Sequence, residues 1–207
     1  MISLTPKRTQ FFDLLEEYGR HLTAVADVLD QAAGGHLPKE DACKAVISRR
    51  NAADVIFDRY IDELHLAFVT PIDRDDLYYL GFAVETLFEL TERMVDRWLA
   101  FDLQPTEAIQ SQLIGYLVIG CRLIVRALPL FRRRALMSQV PEHFRSLRKN
   151  ERDAELCYRR GLKLITDEVT DTRKWVQLKE GQDSVVAAIR QTKVLADIFH
   201  KVIIRNV

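Results

Sequence analysis

The sequence predicts an all-α protein made of two tandem copies of one antiparallel helical unit. Three observations predict it. Apolar residues recur at helical spacing with no strand-type alternation. Only 8 glycines and 6 prolines interrupt 207 residues, and they fall between apolar stretches. Core-type residues recur at an offset of 101 positions.

Taken in order, a first helix is expected over about 8–33, closed by Gly34-Gly35 and Pro38. A second follows over about 39–68, until Thr70-Pro71 reverses the chain. The third ends near Phe101, and Pro105 opens a fourth that Pro129 kinks or ends. Pro141 starts the fifth, and a polar turn at Thr170-Asp171 leads to a sixth running almost to Val207. In the third, Leu77, Leu80, Val84, Leu87, Thr91, Met94 and Trp98 alternate spacings of three and four, the stripe of a helix packed nearly parallel or antiparallel to a partner.

The repeat emerges when that stripe is moved along the chain. Leu77, Val84, Phe88, Thr91, Met94 and Trp98 become Leu178, Val185, Ile189, Thr192, Leu195 and Phe199 on adding 101. The preceding helices obey the same offset, with Val46, Ala53, Phe57 and Leu64 becoming Leu147, Ala154, Tyr158 and Ile165. The first and fourth helices match less well, so their equivalence rests on helix order. The expected organisation is one domain over 1–207, with repeat one at 1–104 and repeat two at 105–207.

Composition narrows the functional classes. Apolar residues form 48% and charged residues 29% of a chain with zero net charge, so bulk charge makes no case for nucleic acid or membrane. The neutrality is divided: residues 1–104 hold 11 basic and 19 acidic side chains, and residues 105–207 hold 19 and 11. Opposite halves can attract within a chain or between chains. The 3 cysteines, Cys43, Cys121 and Cys157, are isolated and read as buried thiols of a reducing compartment. The start of the chain lacks an apolar signal core, and Leu113–Phe131, interrupted by Arg122 and Arg126, reads as a buried helix.

Phe68-Val-Thr-Pro-Ile-Asp-Arg-Asp-Asp-Leu77 carries the most specific local signal. Thr70-Pro71 forces an extended turn, Asp73 can cap the third helix, and Asp76 three residues later makes a capping-box-like pair around Arg74. The segment closely resembles the F-[IV]-T-P-[IF]-D-R-E-D-[IL] signature of PhoU-like phosphate transport regulators, in the branch associated with Pit-type phosphate transporters. Phe11-Phe12-Asp-Leu-Leu-Glu-Glu and Tyr158-Arg159 extend the likeness more weakly along the chain. The resemblance implies a six-helix PhoU-like antiparallel bundle of two three-helix repeats. It also implies a non-catalytic accessory that contacts a phosphate transporter at its cytoplasmic face, with a cytoplasmic or peripheral inner-membrane location.

The family carries paired E/D-x-x-x-D motifs, several of which bind metal clusters. Aligned through the signature, these positions are Arg50/Asp54 with Glu85/Glu89 and, 101 residues on, Glu151/Glu155 with Val186/Arg190. In antiparallel hairpins, residues equidistant from the turn meet, so each set is expected to converge. Intact quartets of carboxylates would need a cation among them. Here Arg50 is expected to neutralise Glu89, Arg190 to neutralise Glu151, and Val186 removes a ligand. No cofactor is expected, although Asp54, Glu85 and Glu89 retain oxygen ligands enough for weak divalent occupancy.

Other clusters are less specific. Glu92 and Asp96 read as a solvated face, and Arg132-Arg133-Arg134 with Arg145, Arg148, Lys149 and Arg152 as a solvated corner. A lone Asp197-x-x-His200 falls short of the two E-x-x-H helices of di-metal bundles, and no catalytic constellation or nucleic-acid motif is present. The alternatives left open are a divalent-metal-binding protein using the first set, and a homo-oligomeric helical scaffold.

Overall fold

The computed structural model describes residues 10–67, 70, 72–132 and 140–206. Six α-helices account for nearly all of them: α1 (Gln10–Ala33), α2 (Lys39–Leu66), α3 (Arg74–Ala100), α4 (Ala108–Ala127), α5 (Val140–Glu168) and α6 (Thr172–Asn206). There is no strand among the described residues. Pro129 lies in a 3-10 turn, Leu128–Arg132, that follows α4 and so ends the helix rather than kinking it. Phe68, Val69, Pro71, Arg133 and Arg134 lie outside the described residues.

The hairpin α2–α3 packs beside α1, and α5–α6 beside α4; the halves meet where α1 crosses α4 and α3 lies along α6. Ala83 neighbours Gln191, whose side-chain nitrogen donates to its carbonyl at 2.8 Å, while Arg97 lies 3.4 Å from Glu180. Low numbers on α3 therefore meet high numbers on α6, and the two run antiparallel. The heptad stripes fill the core. Trp98, Val84, Leu87, Leu195 and Phe199 are all fully buried, as are Thr91 and Thr192, whose hydroxyls donate to carbonyls of their own helices.

Opposite charges of the two halves meet at the seam. Arg122 of α4 lies 3.0 Å from both Asp27 and Asp30 of α1, and Arg132 contacts Asp13 and Glu16. The segment Ala108–Arg132 is long and apolar enough to cross a membrane, yet half of its most apolar window is buried inside the bundle. All 3 cysteines are buried and free.

Candidate functional site

Helix periodicity brings one polar cluster into the apolar interior of the first hairpin. Glu85 and Glu92 are seven residues apart on α3 and share a face, while Glu89 is rotated from Glu85 by roughly 40°. Arg50 of α2 lies level with Glu89, but its guanidinium forks to either side. It reaches Asp54 one turn along its own helix, Glu85 at 3.3 Å and Glu92 at 3.1 Å. Glu89 turns outward toward Arg93 at 3.9 Å. The expected Arg50–Glu89 pair is thus replaced by pairs on the turns above and below it, and Glu92 belongs to the cluster rather than to a solvated face.

Tyr18 of α1 completes the cluster by donating its hydroxyl hydrogen bond to Glu85 Oε2. Burial, reinforced by the Asp54 carboxylate, raises Glu85 above the ordinary glutamate range against the opposing pull of Tyr18 and Arg50. Tyr18 is itself raised by burial and by its bond to Glu85, so it stays a protonated donor. Asp54 Oδ1 is buried with no hydrogen-bond partner, and Arg50 Nε, though close to Glu92, lies off the hydrogen-bonding direction. The cluster holds charge compactly without fully satisfying it.

The second hairpin is plainer. Arg190 Nε donates to Glu155 Oε1 at 2.6 Å, in place of the expected Glu151. That bond holds the guanidinium firmly charged, and the group also lies 5.9 Å over the Tyr158 ring. Val186, at the position equivalent to Glu85, is buried in the core. Tyr158 donates instead to Asp183, which also receives Lys179.

Neither set fits a metal centre. A guanidinium stands among the carboxylates of the first, Glu89 faces away, and Val186 and Arg190 leave the second with two acids. No group of three or more His, Cys, Asp or Glu among the described residues is placed to hold a metal ion.

At the signature turn, Thr70 is half-buried and Asp73 caps α3, accepting from the backbone N–H of Asp75 at 2.9 Å and of Asp76 at 3.4 Å. Arg74 donates to the Ala67 carbonyl, fastening the end of α2 to the start of α3. Asp76 does not complete a capping box. It is 1% exposed and faces the end of α6, 3.2 Å from Lys201 and 3.1 Å from Arg205. The signature thus ties the first hairpin to the last turns of the chain. Sequence spacing cannot reveal that contact, nor the approach of Tyr18.

No family model matches the chain. A protein of Rhizobium meliloti (strain 1021), provisionally named a Pit accessory protein, is 23% identical over 130 residues, covering 63% of this chain and 61% of its own length. The chain therefore matches less than two thirds of that relative. A crystal structure of a PhoU-like protein from Shewanella oneidensis MR-1 aligns with a TM-score of 0.76 at 16% identity, covering 94% of this chain and 99% of that one. A second structure from the same organism, provisionally named a PhoU-like phosphate regulatory protein, aligns at 0.74, also with 16% identity and the same coverage. The fold is that of an all-α PhoU-like bundle. In sequence, part of the chain is similar to a protein named a Pit accessory protein.

Proposed function

We propose that this protein is a non-catalytic accessory of inorganic phosphate transport that acts by contact with a Pit-type transporter at its cytoplasmic face. The sequence likeness to a protein named a Pit accessory carries this reading, and the PhoU-like fold supports it. The chemistry of the clusters agrees. Arg50 and Arg190 supply fixed charge where a catalytic metal would require open coordination positions. The burial of Glu85 and Tyr18 between helices leaves them poorly placed to meet a substrate. The divalent-metal reading loses support because Glu89 faces away from Asp54 and Glu85.

Deleting the gene tests the role. Phosphate uptake, followed across a wide range of external phosphate, is expected to change in capacity or set-point and to recover on complementation. Uptake curves that superimpose on the parent strain would overturn the assignment.

A further inference from the structure

Between α2 and α3, facing away from the core, lies an open groove of about 480 Å³ lined by Phe57, Asp58, Ile61, Asp62, Tyr78 and Phe82. Tyr78 and Phe82 are 43% and 51% exposed, their rings stacked 6.1 Å apart at 11°. Apolar surface of this kind, contiguous and rimmed by polar side chains, is what marks interaction sites. Asp58 and Asp62, one turn apart on the rim, are exposed and form no ion pair among the described residues.

The same surface on the second hairpin has the opposite character. At the 101-residue offset, Asp58 and Asp62 become Arg159 and Lys163, while Tyr78 and Phe82 become Lys179 and Asp183. Arg159 and Lys163 are exposed and likewise form no ion pair among the described residues. Leu156 and Leu164, 58% and 42% exposed, add apolar area on the same helix. Corresponding places on the two hairpins thus carry charge of opposite sign.

The two surfaces also face the same way. Helices α3 and α6 lie side by side and antiparallel, with Ala83 beside Gln191 and Arg97 beside Glu180. A rotation that exchanges adjacent antiparallel helices has its axis normal to the plane containing both. It leaves surfaces that face along the axis on one side of the molecule, and the groove is such a surface: Phe82 and the buried Val84 stand roughly 100° to either side of Ala83, which faces α6. A second copy turned about a twofold axis can then set its basic α5 surface on the acidic aromatic groove, while its own groove receives the α5 of the first.

We propose that this face is a self-association surface on which the Asp58/Asp62 groove of each copy takes the Arg159/Lys163 surface of the other. The occupant is a second copy because one operation satisfies both contacts at once and closes the assembly. Exposed ion pairs contribute little individually. The aromatic groove supplies the apolar area, Arg159 can lie over its rings, and the charges fix the register. Such association is independent of the phosphate-transport role.

Light-scattering mass of the full chain, from low to about 100 µM protein, tests it. Wild type should reach the dimer mass in about 50 mM salt, with association weakened about tenfold or more in about 500 mM. Asp58→Lys/Asp62→Lys and Arg159→Asp/Lys163→Asp should each be folded by circular dichroism and monomeric, since each places like charges at both contacts. Mixing the two variants restores opposite charges at both contacts and should restore the dimer. A wild type that stays monomeric throughout, a dimer that neither variant disturbs, or a mixture that fails to reassociate would overturn the proposal.

Discussion

In the first hairpin Arg50 has 22% of its side chain exposed and faces Asp54, Glu85 and Glu92, whereas in the second Arg190 has 55% exposed and pairs with one acid, Glu155, among the described residues. Both arginines oppose carboxylates across an antiparallel helix pair, but Arg50 stands on the first helix of its hairpin and Arg190 on the second helix of its own, and the position of Glu85 is taken by Val186. Glu85 points inward on α3 and brings charge to the core, where only a charged partner and the Tyr18 hydroxyl make it tolerable. Val186 puts a branched hydrocarbon there, so nothing draws Arg190 inward. The buried acid and the placement of arginine on α2 together make a polar cluster in the first hairpin, where the second has a surface ion pair.

The largest expected effect follows from that difference. Arg50→Ala leaves three acids facing one another and should cost about 2–4 kcal/mol in urea unfolding near neutral pH. Arg190→Ala removes an exposed partner and should cost about 1 kcal/mol or less. Equal losses in the two variants would show that burial does not set the difference.

A smaller contrast lies at two closely packed glycines, one on each hairpin. A Cβ at Gly81 would come within 2.5 Å of the Tyr60 ring, whose hydroxyl is held on the Leu77 carbonyl at 2.7 Å. A Cβ at Gly161 would meet Ile109 at 2.6 Å and the end of Gln182, but both line a cavity of about 170 Å³ into which they can shift. Gly81→Ala should therefore cost about 1–3 kcal/mol through overpacking, and Gly161→Ala distinctly less. Denaturation midpoints with unchanged slopes measure both; the reverse order would mean that the cavity does not relax.

Much of this architecture is legible in the sequence. Helix order, the chain reversals at Gly34-Gly35 and between α2 and α3, and the stripes through Leu77–Trp98 and Leu178–Phe199 follow from period and punctuation, because core-facing residues must recur every three or four positions. Hairpin register was also legible, and Tyr158 meets Asp183 at the spacing it implies. What register does not specify is rotation about the helix axis. Arg50 and Glu89 are level but face different directions, and a long guanidinium passes to Glu85 and Glu92 instead. Contacts between distant segments, such as Tyr18 with Glu85 and Asp76 with Arg205, depend on how α1 and α6 pack, and no local pattern encodes them.

Arginine, rather than a metal ion, is the counter-charge of the Asp54–Glu85–Glu92 cluster, and divalent-cation dependence of thermal unfolding tests that most directly. Wild type should melt at the same temperature with or without millimolar Mg²⁺ or Mn²⁺, while Arg50→Ala, with its carboxylates freed, should melt lower and regain several degrees when the ion is added. A wild-type melting temperature that rises with submillimolar divalent ion, and loses that rise in Asp54→Asn or Glu85→Gln, would contradict it.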